Sequence, residues 1–521
     1  MIRTFRLALF LPLLACASST GPAAERTTPA DPATAAFVGV TVIPMTAPGL
    51  VLSDHTVVIR GGRIAEVGPQ SAVAVPAGAQ RIDGTGRYLI PGLADLHVHL
   101  EYFDDPAVLR LFLEHGVTTV RNMDGRPYLL EWRDRIAAGE LAGPTIVTAG
   151  PLLDGDPPLR DDNTVVHDAA EGRRIVAEQH AAGYDFVKVY TNLSPEAYRA
   201  ILAAAREHGM PVAGHVPRGV RLEEALEAGM ASIEHLDGYD DLIEADDSPF
   251  RNRWHWSKRY LAMPADAAKM RSAAERTAAS GVWNVPTLVE KEKVAPLAEM
   301  SGWLGRPEIQ RLPQLFRDAW DPAGWDPQRR GAFERMDAED FALLAVGRRQ
   351  RLALVKALHD AGAGLLVGSD TPNPFVVPGL AALEEIRLFG EAGLTPYQAL
   401  AAATREAARF LHQEKEFGTI APGRRADLLL LSANPLEDLT HLERQVGVMV
   451  RGRWLDSSER CYTTTAFQHH GIATATRRTS TLRIVTPGAD QLHAGGVDRR
   501  ACSSVSKSTK PKPSPSTGSN Q

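Results

Sequence analysis

Residues 91–414 repeat one pattern, in which a short apolar run is followed by a longer stretch of helical character. Runs such as "PVAGHV", "SIEHL" and "GLLVGSD" alternate with stretches such as "SPEAYRAILAAAREHG". Eight such units predict an α/β fold whose parallel strands and helices form a (β/α)8 TIM barrel over residues 91–414. A doubly wound open sheet is the alternative, but no glycine-rich phosphate-binding fingerprint follows any of the runs.

The two flanks of this repeat have a different texture. Residues 35–90 and 415–456 contain β-branched runs broken by glycine pairs, as in "HTVVIRGGRIAEVG" and "VGVMVRGRWLD". Such runs predict short strands and hairpins, and together they predict one small β-sandwich domain built from both ends of the chain. Two connections, residues 237–280 and 290–350, exceed ordinary loops and are predicted to be helical insertions at the catalytic end of the barrel.

The first 21 residues, "MIRTFRLALFLPLLACASSTG", have the basic start and apolar core of an export signal, assigned to residues 1–16. The apolar core is shorter than the roughly 20 residues that span a bilayer. Because "LLAC" resembles a bacterial lipobox, Cys16 is expected to carry a lipid anchor, with simple signal cleavage as the alternative. Residues 17–34 are expected to form a flexible tether and residues 461–521 a disordered tail. These features predict a periplasmic or outer-membrane-anchored bacterial lipoprotein.

The charge distribution limits the kinds of partner. The formal net charge is −6 and the basic residues are spread along the chain, so we expect no nucleic-acid partner and a small-molecule substrate. Contact with a membrane is expected only through the lipid anchor. The chain has 3 cysteines, too few for a disulfide framework, and assembly as a homo-oligomer is left open.

Polar residues that can bind metal stand at the ends of several apolar runs. Taken singly, each is as well explained by a buried polar side chain. In a barrel, however, the carboxyl ends of the strands meet at one mouth, so these side chains would come together there. The residues are His97 and His99 in "LHVHL", Lys188 in "FVKVY", His215 in "AGHV", His235 in "SIEHL" and Asp370 in "GSDTP".

These motifs, with "PGLADLHVHL", resemble the metal-dependent amidohydrolase superfamily over residues 36–456. The resemblance is to its binuclear branch with a carboxylated lysine and to Xaa-Pro dipeptidases and imidazolonepropionase-like members. It implies two divalent ions, usually Zn²⁺. The first would be held by His97, His99 and Asp370, and the second by His215 and His235. Lys188, carboxylated by carbon dioxide to an anionic carbamate, would bridge both.

The resemblance also implies a mechanism. A hydroxide held between the ions would attack the substrate carbonyl, and Asp370 would take its proton and pass it to the leaving nitrogen. Tyr190 lies two residues beyond Lys188, so strand alternation directs it to the same mouth. There it would hydrogen-bond the tetrahedral oxygen or a substrate carboxylate, with a rim aromatic as the alternative.

The substrate is narrowed but not fixed by the sequence. We expect hydrolysis of an amide in a peptide-like compound or an N-acyl amino acid. A lactonase, an ester hydrolase or a cyclic-amide hydrolase is the alternative, and a non-catalytic binding lipoprotein is the least favoured. "TAGPLLDGDPP" lacks the histidine that dipeptidases carry after the third strand. Lys188 in turn argues against the single-ion imidazolonepropionase-like and deaminase branches.

Overall fold

A computed structural model describes residues 34–249 and 264–456. The predicted signal at 1–16, nearly all of the tether at 17–34 and the predicted tail at 461–521 lie outside the described residues, as do residues 250–263 of the first insertion. In the described part of the chain, no helix is both long and apolar enough to cross a bilayer.

The described residues form an α/β structure with three sheets, which confirms the predicted class. The strands of the first and largest sheet are β1 (Ala35–Val42), β2 (Leu52–Arg60), β3 (Arg63–Pro69), β4 (Gln80–Asp83), β5 (Tyr88–Pro91), β15 (Leu428–Leu431), β16 (Gln445–Val450) and β17 (Arg453–Asp456). The other two sheets contain β6 (Leu93–Val98), β7 (Val117–Asn122), β8 (Thr145–Thr148), β9 (Leu153–Asp154), β10 (Thr164–Val165), β11 (Val187–Val189), β12 (Val212–Gly214), β13 (Ser232–Glu234) and β14 (Trp283–Val285).

Helices follow most of the strands of the two smaller sheets. The described α-helices are Leu109–Glu114, Pro127–Ala137, Ala169–Ala182, Pro195–Glu207, Leu222–Ala228, Tyr239–Ile243, Ala267–Ser280, Leu288–Lys291, Leu297–Trp303, Pro307–Gln310, Gln314–Trp320, Pro327–Glu334, Ala338–Ala361, Leu380–Glu391, Pro396–Ala402 and Arg405–Phe410. Short 3₁₀ helices span Leu100–Tyr102, Pro106–Val108, Pro322–Gly324 and Leu439–Glu443.

The largest sheet joins the two flanks of the sequence. Its order is β17-β16-β15-β5-β1-β2-β3, and β4 pairs with β1. The central pairing sets β15 antiparallel to β5, so residues more than 330 positions apart in the chain lie side by side. Alternate side chains of these strands pack into one apolar core that includes Phe37, Val57, Leu428 and Met449.

The other two sheets contain only parallel pairs, in the orders β6-β7-β8 and β10-β9-β11-β12-β13-β14. Their strands from β6 to β8 and from β11 to β14 correspond to the predicted apolar runs and are mostly buried on both faces, as parallel strands are. Isolated parallel bridges pair Ala149 with Phe186, Asn284 with Leu365 and Val98 with Thr371.

The last predicted run, "GLLVGSD", is not a regular strand. Residues 364–371 nevertheless lie between β14 and β6, because Leu366 N donates to Asn284 O and Leu96 N donates to Val367 O. Asp370 N then donates to His97 O, and Asp370 has a positive φ of 61°. This left-handed residue ends the run, and only isolated bridges at Leu365 and Thr371 pair residues 364–371 with the neighbouring strands.

Candidate metal centre

The predicted site residues come from separate elements and meet at one cavity that is partly open to solvent. His97 lies in β6 and Lys188 in β11, whereas His215 and His235 directly follow β12 and β13. Asp370 adjoins the bridge that pairs Thr371 with the end of β6. The cavity is lined by His99, Lys188, Tyr190, His215, His235 and Asp370, and His97 lies buried behind them.

Asp370 is the centre of this group. Its Oδ1 lies 3.3 Å from His97 Nε2 and 3.2 Å from His99 Nε2, and its Oδ2 lies 4.0 Å from His235 Nδ1. Within the described residues, potential ligand atoms of His97, His235 and Asp370 all come within 4.8 Å of one another. His235, which the resemblance assigns to the second ion, therefore also has a ligand atom near His97 and Asp370 of the expected first ion, and its ring centroid is 4.8 Å from that of His215.

Three of the histidines are oriented by carboxylates at their outer nitrogens. His97 Nδ1 donates to Glu234 Oε2 and His99 Nδ1 donates to Glu101 Oε1, both at 2.6 Å. A third carboxylate, Asp237, has its Oδ2 2.9 Å from His215 Nδ1. Metal-binding histidines commonly use this arrangement, because it fixes the tautomer and directs the other nitrogen to the ion.

The fourth histidine and the central aspartate are held by neutral groups. His235 Nδ1 forms a hydrogen bond of 2.7 Å with Thr287 Oγ1, and Asn373 Nδ2 donates to Asp370 Oδ2 at 2.8 Å. His235 and Asp370 also have positive φ angles of 60° and 61°, which non-glycine residues rarely adopt. Strained backbone of this kind concentrates at functional sites, where the surrounding packing maintains it.

The donor set fits a cation. His97 Nε2 is buried and has no hydrogen-bond partner among the described residues. Because Nδ1 of His97 is hydrogen-bonded to Glu234, Nε2 is the ring nitrogen that faces the Asp370 carboxylate, 3.3 Å from its Oδ1. A buried ring nitrogen without a hydrogen-bond partner is a position that a bound ion can satisfy. Nitrogen and oxygen donors at this spacing suit a divalent transition ion such as Zn²⁺.

The charges of the site agree with this interpretation. Burial alone would raise the pKa of Asp370, but the neighbouring histidines hold it well below its ordinary value. Burial likewise acts to lower the pKa of His99, yet Glu101 and Asp370 raise it to about 9. The carboxylates therefore stabilise a positive charge at this position, and a metal ion would displace that proton.

Lys188 is a buried lysine at the edge of the cavity. Burial is the main cause that lowers its pKa to about 8, and Glu234 and Asp370 oppose the shift. Its Nζ lies 6.0 Å from the centroid of the Tyr190 ring, and that ring packs 4.2 Å from the ring of His215. Tyr190 therefore lies where strand alternation predicts, beside both Lys188 and the histidines.

A buried arginine, Arg121, holds the carboxylate that orients His97. Arg121 Nη2 donates to Glu234 Oε1 at 2.8 Å, and Arg121 Nε donates to Leu96 O at 2.6 Å. Burial would raise the pKa of Glu234, but Arg121 and His97 outweigh it and lower the pKa to about 2. Glu234 is therefore ionised at neutral pH and anchors His97. Arg121 was not identified from the sequence, and the structure gives it this supporting position.

The carboxylates that contact the histidines were not identified from the sequence, although the positions of two of them could have indicated their role. Glu101 and Asp237 each stand two residues after a predicted ligand, His99 and His235 respectively. Glu234 precedes His235 directly, and nothing in the local pattern links it to a histidine on β6. Long-range pairs of this kind become visible only when the strands are placed side by side.

A buried cluster of histidines and an aspartate near the carboxyl ends of parallel strands is typical of enzymes that use a metal ion. The profile of the Amidohydrolase family matches residues 88–455, and the chain belongs to that family. It is accordingly a hydrolase that acts on carbon–nitrogen bonds, in a family that generally binds divalent metal ions. This confirms the resemblance drawn from the sequence motifs.

Individual relatives agree with this assignment. An imidazolonepropionase of Saccharopolyspora erythraea is 25% identical over 425 residues, which cover 77% of this chain and 95% of the relative. The solved structure of a bottromycin amidohydrolase is 26% identical with a TM-score of 0.64, covering 83% of this chain and 90% of that one. A Xaa-Pro dipeptidase with bound methionine shares the fold at 22% identity and a TM-score of 0.60, covering 81% of this chain and 100% of that one.

Proposed function

We propose that the protein is a binuclear metal-dependent amidohydrolase that cleaves the amide bond of a peptide-like compound or an N-acyl amino acid. The single observation that carries this proposal is the convergence of His97, His235 and Asp370, with ligand atoms within 4.8 Å of one another, beside the buried Lys188. One amine and several imidazoles in one buried site have no structural purpose that apolar residues would not serve better.

The architecture of the proposal is a (β/α)8 barrel over residues 91–414 with a β-sandwich domain from 35–90 and 415–456. The parallel bridges between the two parallel sheets support a barrel, because they link β8 to β11, β14 to residues 364–371 and these to β6. The large sheet shared by both flanks supports the second domain. For the leader, the sequence alone supports export and a lipid anchor at Cys16.

Two divalent ions, most simply Zn²⁺, are proposed for the site. The donors for one ion come from His97, His99, His235 and Asp370. The donors for the second ion come from His215 and also from His235, which lies close enough to bind either ion. Lys188 would bridge them as a carbamate, since burial favours the neutral amine that reacts with carbon dioxide. Such ions supply a nucleophilic water at neutral pH and polarise a carbonyl.

The chain's own residues orient the substrate and move the proton. Asp370 is ionised and held by Asn373, so its carboxylate can accept a proton from the attacking water and deliver it to the leaving nitrogen. Tyr190 lines the cavity and can donate its hydroxyl hydrogen to the developing oxyanion. The buried position of both side chains keeps competing water away from these hydrogen bonds.

The names of the structural neighbours support amide substrates. A Xaa-Pro dipeptidase and a bottromycin amidohydrolase are among them; the first name denotes cleavage of a dipeptide and the second denotes hydrolysis of an amide. A lactone, ester or cyclic amide remains the second candidate, because the same nucleophile attacks either carbonyl. The imidazolonepropionase relative favours the cyclic amide within this group.

The test is a substrate panel for the zinc-loaded protein, containing dipeptides, N-acyl amino acids, cyclic amides, esters and lactones. We expect amide hydrolysis that a chelator abolishes and that Asp370→Asn lowers by at least roughly 100-fold, as loss of general acid–base catalysis does. Hydrolysis of lactones and esters alone would favour the second candidate. Tight metal binding without any turnover would favour a non-catalytic binding protein.

A further inference from the structure

One charged residue of the cavity has no part in the proposed metal chemistry. Arg160 lines the same cavity as Lys188, His215 and Asp370, and only 6% of its side chain is exposed. A buried guanidinium is costly unless anions pair with it, so its place in the wall of a substrate cavity calls for an explanation.

The loop that carries Arg160 is held firmly. The buried carboxylate of Asp154 accepts hydrogen bonds from the backbone of Gly155, Leu159 and Asn192 and from the Asn163 side chain, at 2.6 to 3.1 Å. Gly155 approaches the next loop so closely that a Cβ there would lie 1.8 Å from Asn192 O. The position of Arg160 is therefore fixed before any substrate enters.

The guanidinium is only partly satisfied by its neighbours. Arg160 Nε and Nη2 donate to the two carboxylate oxygens of Asp162, both at 3.2 Å, while its Nη1 makes no hydrogen bond to any described residue. The guanidinium carbon lies 5.2 Å from the ring centroid of Tyr102, and that ring lies 6.0 Å from the ring of His99. Arg160 thus stands two ring contacts away from the candidate metal centre.

Resting on the proposed function, we propose that Arg160 is the anchor for a free carboxylate of the substrate. In an N-acyl amino acid or a dipeptide the carboxylate carbon is three covalent bonds from the scissile carbonyl carbon, and Arg160 lines the same cavity as the candidate ligands. Arginine binds carboxylates through two parallel hydrogen bonds. The site suits a monoanion better than a phosphate dianion, because the carboxylates of Asp162 and Glu101 already offset part of the positive charge of Arg160.

This anchor defines the substrate class as amides that carry a carboxylate beside the scissile bond. Lactones and neutral cyclic amides do not present that group, so the inference separates the two candidate functions. Loss of the guanidinium should raise KM more than it lowers kcat, because the interaction is made in the ground state as well as in the transition state.

The first test measures binding to metal-free protein by calorimetry, with N-acetyl-L-methionine and its neutral carboxamide as probes. Wild-type protein is expected to prefer the carboxylate by at least roughly tenfold, the size of a charge-assisted hydrogen bond. Arg160→Gln is expected to bind both probes equally. An equal preference in wild type and Arg160→Gln would overturn the proposal.

Two further variants separate substrate binding from a merely structural role. Asp162→Asn removes the loop partner of Arg160 but keeps the guanidinium, so it should retain the preference for the carboxylate probe. If Asp162→Asn loses the preference as fully as Arg160→Gln does, Arg160 only fixes the loop and the proposal fails. Arg160→Lys should lose part of the preference because lysine is a point charge without the fork. Should Arg160→Gln fail to fold, an unchanged preference in Arg160→Lys overturns the proposal instead.

The second test uses the zinc-loaded enzyme with the best panel substrate and its carboxamide. Arg160→Gln should lower kcat/KM for the carboxylate form roughly 10- to 100-fold, mainly through KM, and leave the carboxamide nearly unchanged. Turnover of carboxylate and carboxamide with the same dependence on Arg160 rejects the anchor and leaves the proposed hydrolase intact. Arg160-dependent binding without any turnover supports the anchor and rejects the proposed hydrolase.

Discussion

Three carboxylates, Glu101, Glu234 and Asp237, contact the candidate metal-binding histidines. Replacing Glu234 by glutamine tests whether such a carboxylate holds its histidine in place for the ion. Glu234 accepts hydrogen bonds from His97 Nδ1 at 2.6 Å, Arg121 Nη2 at 2.8 Å and Ser232 Oγ at 2.5 Å, and all four side chains are buried. Its pKa of about 2 makes it an anion at neutral pH. The substitution keeps the shape of the side chain, removes this charge and replaces one of the two acceptor oxygens by an NH2 donor.

Two effects of different origin are expected from Glu234→Gln. The buried Arg121 loses its ion-pair partner, which lowers the free energy of unfolding by about 3–5 kcal/mol. His97 loses the anion that fixes its tautomer, so the affinity for the first divalent ion falls roughly 10- to 100-fold. The first effect comes from the arginine and the second from the histidine, so a second substitution can separate them.

The free energy of unfolding is measured by urea titration of metal-free protein, and zinc affinity by competition with a chromophoric chelator. In the double variant Arg121→Met with Glu234→Gln, much of the lost stability should return, because no unpaired charge remains, while zinc affinity stays low. Glu207→Gln is the matched control, since Glu207 pairs with Arg173 on an exposed surface and should change neither quantity. Unchanged zinc affinity in Glu234→Gln would refute the role of Glu234 in orienting His97 for the ion.

Three further predictions concern other parts of the site. In Gly368→Ala, the new Cβ would lie 2.7 Å from the Cβ of His97, so both the thermal midpoint and zinc affinity should fall, whereas Gly139→Ala, with open space around it, should not change zinc affinity. Burial raises the pKa of Glu385 from 4.5 to about 8, so the free energy of unfolding of the wild type, measured by urea titration, should fall as the pH rises from 4.5 to 8. Glu385→Gln should flatten this pH profile, and an equally steep profile in the variant would contradict the prediction. Tyr190→Phe should lower kcat of amide hydrolysis roughly tenfold or more at unchanged zinc content, and an unchanged kcat would assign Tyr190 to the rim.

Much of the fold was readable because its signals are local. The parallel strands follow from short apolar runs between capped helices, and the helix Pro195–Glu207 begins after Ser194, whose side chain accepts from Ala197 N as an N-cap does. The run "GLLVGSD", residues 364–370, was predicted as a strand, whereas the structure pairs it with its neighbours only through isolated bridges and ends it at the left-handed Asp370.

The candidate metal ligands could be proposed from the sequence and the residues that contact them could not, for one physical reason. His97 and His99 stand two residues apart at the end of an apolar run, so their spacing alone predicts two side chains on one side of the chain, although β6 itself ends at Val98. Glu234 and Arg121 act across strands that are more than 100 residues apart in sequence, as their ion pair shows. Arg160 stands in an irregular loop whose position depends on the buried Asp154, and no periodic pattern marks such a residue.

The central claim is that two ions occupy the site and that a carboxylated Lys188 holds them together. Its most direct test is the metal content of protein purified after incubation with zinc and bicarbonate, measured by mass spectrometry for wild type and Lys188→Met. We predict two equivalents per chain in wild type and at most one in the variant. One equivalent in wild type, or two equivalents retained without Lys188, would contradict the account.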